Sequence, residues 1–225
     1  MENKMPNWVH NSLNITGDKE QITRLVAQVS APYTTKGSEW ADGKMITVDA
    51  VVTDQDFSFW NISRPEGEDL GKYNESMVGG GTDLFPFWYE WNNTHWNTKW
   101  EACDATSELT HGEEESWTSY HFQTAWSPPT IVLAKLAEQY PTLKMTLFWE
   151  EEQGFGEDLE ITGGEIVVND SWDIPETHED TMKRRDYCYC EDTEDQDDIP
   201  FDDCPTKFDP NMIIDKNEIE MEALI

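Results

Sequence analysis

Val9, Leu13 and Ile15, with polar Ser12, Asn14 and Thr16 between or beyond them, form a short alternating run that predicts a half-buried strand closed by Gly17. Asp18 stands three residues before Gln21, which approximates a capping box. Ile22, Leu25, Val26 and Val29 then recur on one helical face until Ala31-Pro32 stops the helix. Phe57-Ser58-Phe59-Trp60-Asn61-Ile62 predicts a second strand, and Met45 to Val52 is β-branched enough for a strand before it. Arg64-Pro65-Glu66-Gly67 reads as a turn. Residues 63–84 are polar and carry Gly79-Gly80-Gly81, so a mobile connection is expected there.

Trp88, Trp91 and His95 fall at helical spacing, and Trp96 and Trp100 are four apart, which predicts a short helix with an aromatic face. Such a stripe serves core packing or a stacking platform for a ligand. Tyr120, Phe122 and Thr124 alternate with His121 and Gln123 as another strand. Ser127 suits an N-cap and Pro128 a first helical position, and Leu133, Leu136, Ala137 and Tyr140 keep helical spacing up to Pro141. Leu143, Met145, Leu147 and Trp149 alternate as a strand that breaks at Gly154-Phe155-Gly156. Ile161 to Val168, around Gly163-Gly164, predicts a terminal strand or hairpin. Strand, helix, strand, insertion, strand, helix, strand is the order of an α+β ferredoxin-like sandwich, a split βαβ with an antiparallel sheet and two helices on one face. The expected domain is 1–168 with a Trp-rich insertion at 63–118, followed by an acidic extension at 169–225. Length alone also allows two small domains.

Charge changes the picture more than any motif. The chain has 47 Asp and Glu against 15 Lys and Arg, a formal net charge of -32. Residues 150–225 hold 26 of the acids and 5 of the bases. Duplex DNA and anionic membranes repel such a chain, so a basic protein surface is the expected partner and direct nucleic acid is not. Halophilic adaptation or a solubilising tail would give similar totals. The candidate partner-binding acids are Glu150, Glu151, Glu152, Glu157, Asp158, Glu191, Asp192, Glu194, Asp195, Asp197, Asp198, Asp202 and Asp203. Tyr187, Tyr189, Ile199 and Phe201 interrupt the later clusters, which fits a segment that docks on the domain, folds on a partner or stays solvated. Lys183-Arg184-Arg185 is the one basic cluster.

No stretch is apolar enough to span a bilayer, and the N-terminus lacks a signal pattern, so the cytoplasm is the expected compartment. Cys103, Cys188, Cys190 and Cys204 do not make a secreted disulfide framework and are expected reduced. His178, Cys188, Cys190 and Cys204 are the right groups for zinc, although Cys-x-Cys lacks the usual two-residue gap, and no cofactor is favoured. Asp192 to Asp203 lacks the central glycine and terminal glutamate of a calcium loop. There is no G-x-S-x-G, P-loop, H-E-x-x-H or dinucleotide fingerprint, so no catalytic residues are assigned and an enzyme is not expected. His121 and Glu150 are the one acid-base pair that adjacent strands would bring face to face.

Several segments taken together resemble the YubB-like ferredoxin-like domain family of bacteriophages and plasmids. They are Met5 to Gly17, Phe57-Ser58-Phe59, Trp88-Tyr89-Glu90-Trp91, Trp96-Asn97-Thr98-Lys99-Trp100 and Thr124-Ala125-Trp126-Ser127-Pro128-Pro129, with Trp8, Trp88, Trp91, Trp96, Trp100 and Trp126 as the motif aromatics. Asn97 stands where glycine is expected, and Ile62-Ser63-Arg64-Pro65 departs from an apolar run. The resemblance implies the fold and a mobile-element origin without a settled activity. With the charge, it leads to an expected inhibitor of a host defence or DNA-processing protein that imitates nucleic-acid phosphates in a basic groove. The alternative expectation is a non-catalytic module that binds a protein or ligand through its Trp-rich surface.

Overall fold

The computed structural model describes residues 7–41, 43–52, 55–78, 85–112 and 115–174. β1 (Trp8–Gly17) is the central strand of a six-stranded antiparallel sheet. Its neighbours are β5 (Ser116–Ala125) and β6 (Lys144–Glu151), with β4 (Cys103–His111) beyond β5. The hairpin of β7 (Gly156–Thr162) and β8 (Glu165–Trp172) extends the other side, giving the order β4-β5-β1-β6-β7-β8. The strands β4-β5-β1-β6 have the split βαβ order, and β7-β8 is an addition beyond β6.

The alternation read in β1 decides which face is which. Val9, Leu13 and Ile15 are buried; through the register Leu13 is paired with Tyr120 and Leu147, and Ile15 with Thr118 and Met145. α1 (Lys19–Val29) adds Ile22, Leu25 and Val29 to this core, and α4 (Thr130–Gln139) adds Val132, Leu133, Leu136 and Ala137. α1 packs on β1 and β5, and α4 on β7 and β8. Each fully buried aliphatic side chain contributes roughly 1.5–3 kcal/mol relative to exposure, so this face supplies most of the fold's apolar stabilisation. Asp18 caps α1 as expected, its Oδ1 accepting from the backbone N–H groups of Glu20 and Gln21. The start of α4 differs from expectation. The helix begins at Thr130, and the Ser127 hydroxyl donates to the Asn97 carbonyl instead of capping it, because the two prolines hold the chain away from helical geometry until Pro129 has passed.

The segment between α1 and β4 is richer than the sequence pattern suggested. β2 (Tyr33–Ala41), which was not anticipated, pairs with β3 (Lys44–Val52) as a separate antiparallel hairpin. Phe57 to Ile62 is not a strand. It runs as bends and a turn, with Ile62 and Ser63 donating their N–H groups back to the Phe59 carbonyl. Its apolar run reflects burial alone: Phe57 stacks on Phe122 at 5.2 Å and Phe59 meets Trp96 at 5.7 Å. Within the expected mobile connection lies α2 (Gly67–Val78), packed on β2 and on α3 (Phe87–His95). Residues 79–84, including Gly79-Gly80-Gly81, lie outside the described residues. The span 63–118 read as an insertion therefore includes β4 and the start of β5, and β8 straddles the 168/169 boundary.

Candidate binding faces

Side chains at even positions of β1 point away from α1, and the register shows what lies beside them. His10 is opposite Gln123 on β5 and Glu150 on β6, while Ser12 is opposite His121 and Phe148. Phe148 is opposite Asp158, Asp158 is opposite Asp170, and Thr146 is opposite Glu160. The face turned away from the helices thus gathers Glu150, Asp158, Glu160 and Asp170 on the β6-β7-β8 side. Residues 144–174 contain nine carboxylates and a single base, Lys144, whereas residues 7–52 hold five acids and four bases. Residues 103–125, which form β4 and β5, hold five more acids and no Lys or Arg, so both ends of the sheet are acidic, and on the β6-β7-β8 side four of the acids share one face.

Several acids take different positions from those expected. Glu151 is only 2% exposed and organises the β6-β7 turn, accepting from Asn7 Nδ2 at 2.6 Å and from the backbone N–H of Gln153 at 2.6 Å. A partner cannot use a carboxylate buried in this way, so Glu151 leaves the candidate surface. Glu152 accepts from the Trp8 N–H and is half-buried. Glu157 is paired with Trp149 and so faces the opposite way from Asp158. Glu191, Asp192, Glu194, Asp195, Asp197, Asp198, Asp202 and Asp203 lie outside the described residues, as do His178, Cys188, Cys190 and Cys204. Among the described residues no group of three or more His, Cys, Asp or Glu is placed to hold a metal.

The expected His121–Glu150 pair does not form across adjacent strands, because β1 lies between β5 and β6. His10 stands beside Glu150 instead. Burial lowers the His10 pKa, and the Glu150 charge opposes that shift. Sequence reasoning passed over His10, although its place in the alternating run marks it as an outward residue of the central strand. Glu150 also accepts from Trp172 Nε1 at 3.2 Å, and the Trp172 ring stacks on Phe148 at 5.1 Å.

A second surface lies at the end of the sheet, where the motif tryptophans are divided by role. Trp91 and Trp96 are buried in the core, and Trp96 Nε1 donates to the Ser63 carbonyl at 2.7 Å. Trp96 and Trp100 follow α3 and are not part of it, so the aromatic face of that helix is shorter than expected. Trp8, Trp88 and Trp100 are half-buried. Trp126 is 46% exposed and has φ 75°, a region that costs a bulky residue about 1–3 kcal/mol unless its surroundings hold it. What holds it is Lys99, whose Nζ sits 4.3 Å from the Trp126 ring and 4.5 Å from the Trp100 ring, together with the Trp126 N–H bonded to the Asn7 carbonyl. Partial burial lowers the Lys99 pKa.

Beneath these surfaces Glu101 fastens the Phe57–Ile62 turn to the domain. Its carboxylate accepts from the N–H groups of Phe59 at 2.5 Å, Trp60 at 3.0 Å and Ala102 at 3.1 Å, and from the Ser58 hydroxyl at 3.2 Å. Burial raises its pKa, and these four donors oppose the shift. The group is structural, because its oxygens are already committed to the protein's own donors.

Residues 95–191 match the family described as the ferredoxin-like domain in Api92-like protein. The matched stretch begins at the end of α3, covers β4 through β8 and continues past the last described residue. The crystal structure of a protein api92 from Yersinia pseudotuberculosis is similar in fold, with a TM-score of 0.52 and 8% sequence identity over 76% of this chain and 99% of that chain. No curated protein matches. These likenesses support a ferredoxin-like fold, in agreement with the antiparallel sheet described above. They carry the Api92-like description, not the YubB-like one. Among the described residues no helix is long and apolar enough to cross a membrane.

Proposed function

We propose that this chain is a non-catalytic inhibitor from a mobile element, of the YubB-like kind that its motifs resemble. Its carboxylates enter the basic groove of a host defence or DNA-processing protein in the host cytoplasm. The observation that carries this reading is the gathering of Glu150, Asp158, Glu160 and Asp170 on one face of β6-β7-β8, within a segment whose only base is Lys144. A rigid sheet holds such groups at fixed spacing, so each carboxylate can meet an arginine or lysine without first being ordered. Association should be fast at low salt and weaken steeply as salt rises.

The test is a salt-dependent capture from host lysate by the full chain, with the bound protein identified by mass spectrometry. It is repeated with Asp158→Asn, Glu160→Gln and Asp170→Asn combined. A basic, nucleic-acid-binding protein lost on neutralisation supports the proposal. Recovery of none, or equal capture by the neutralised chain, sinks it. One observation favours a second reading, a binding module that uses its tryptophan surface: Trp126 is held in a strained conformation and is still exposed beside Lys99. Loss of the captured protein on Trp126→Ala, with the neutralised chain unaffected, would favour that reading instead.

A further inference from the structure

Asp and Glu outnumber Lys and Arg 47 to 15 in this chain, so a cation without a carboxylate partner is conspicuous. Arg64 is such a cation. It lines an open cleft of about 490 Å³ between the end of α1 and the turn that follows Phe57. Glu66 lines the same cleft, and both residues are exposed. Among the described residues neither forms an ion pair, with the other or with a third group, so opposite charges stand apart in one cavity. The walls around them are fixed. Asn61 Nδ2 donates to the Val29 carbonyl at 3.3 Å and the Ala31 carbonyl at 2.7 Å, and Gln28 Nε2 donates to the Asn61 carbonyl at 3.0 Å and to Gln139 Oε1 at 2.7 Å. Asn61 Oδ1 accepts no hydrogen bond from the described residues and remains available. Lys135 Nζ donates to Ser63 Oγ at 3.0 Å, which turns the hydroxyl hydrogen away from that ammonium and leaves it to donate elsewhere. Trp60, buried and stacked on Tyr33 at 5.7 Å, forms an apolar wall with Ile62.

We propose that this cleft binds a free α-amino acid with an apolar side chain. Arg64 and the Ser63 hydroxyl take its carboxylate, Glu66 and Asn61 Oδ1 take its ammonium group, and its side chain lies along Trp60 and Ile62. Two features select this ligand. The first is the presence of unlike groups in one cavity: an anion alone would leave Glu66 and Asn61 unanswered, and a cation alone would leave Arg64 and Ser63 so. The second is the net charge of -32, which repels a free anion from the whole molecule and draws cations to every acidic surface. A zwitterion carries no net charge, so the cleft alone selects it. Arg64 suits the carboxylate end because its planar fork gives two parallel N–H···O bonds. Since the walls are already hydrogen-bonded, binding has little to order. The cleft shares no residue with the acidic face or the Trp126 surface, and its occupancy is independent of both functional readings given above.

Saturation-transfer NMR on the full chain tests this with three probes that share a ring and differ in charge: L-phenylalanine, 3-phenylpropanoate and phenethylamine. Phenylalanine should bind saturably, and each analogue, which keeps one of its two charges, should bind about tenfold more weakly. Arg64→Gln and Glu66→Gln should each weaken phenylalanine by about the same factor. Both residues are exposed, so the substitutions leave the fold intact, as unchanged circular dichroism would verify. Absence of saturable phenylalanine binding would overturn the proposal. So would 3-phenylpropanoate binding as tightly as phenylalanine, which marks a plain anion site, or phenethylamine doing so, which marks general attraction to the acidic surface. Phenylalanine affinity unmoved by both substitutions would overturn it as well, because the amino acid would then bind elsewhere.

Discussion

Replacing Glu101 with alanine tests whether one carboxylate holds the whole Phe57–Ile62 turn. The substitution leaves the N–H groups of Phe59, Trp60 and Ala102 and the Ser58 hydroxyl without their acceptor. A buried donor left unpaired costs about 1–3 kcal/mol. Water entering the space reaches some of the four, so the expected loss is about 3–5 kcal/mol, at the severe end for a single substitution. Glu101→Gln keeps one carbonyl acceptor but turns an NH2 group toward donors, and should cost about 1–2 kcal/mol. Urea unfolding followed by tryptophan fluorescence measures both. A loss below about 1 kcal/mol for Glu101→Ala would refute the role given to this side chain.

The pH dependence provides an independent check with a definite sign. Burial raises the Glu101 pKa above its ordinary value of 4.5, so the folded state holds the proton more tightly than the unfolded state. Of the four donors only the Ser58 hydroxyl can reverse its role and accept that proton. The resulting stabilisation is fully present below the unfolded pKa and is lost as pH rises through the folded one. Relative to Glu101→Gln, the parent chain should therefore lose stability as pH rises from 4.5 and level off above the folded pKa. A parent chain that loses stability relative to Glu101→Gln as pH falls below 4.5 would show the opposite sign and contradict the burial argument.

Three further outcomes follow from backbone geometry. Asn97 has φ 68° and donates from Nδ2 to the Pro128 carbonyl and the Thr130 hydroxyl, so Asn97→Gly should exchange relief of strain for lost bonds and stay within about 1 kcal/mol. Asn97→Ala gains no such relief and should cost about 1–2 kcal/mol, read from the same urea curves. A Cβ on Gly156 would lie 2.1 Å from the Trp149 carbonyl and 2.7 Å from the Trp172 ring, so Gly156→Ala should destabilise by about 1–3 kcal/mol in thermal unfolding. Val167→Lys on the exposed outer strand should leave stability nearly unchanged and lower any self-association seen by light scattering, because a charge there blocks edge pairing.

The ferredoxin-like core was legible because its residues obey one period at a time. Leu143, Met145, Leu147 and Trp149 alternate, Ile22, Leu25 and Val29 follow a helix, and all of them are buried in one cluster. The added segment was not legible in the same way. α2 contains two glycines and buries only Tyr73 fully, so its sequence looks like a connection. Phe57 to Trp60 is apolar and buried, but periodicity does not reveal that its backbone donors go to a distant glutamate instead of a neighbouring strand. Among the acids, alternation along β6 and β7 already separates Glu150 and Asp158 from Glu151 and Glu157.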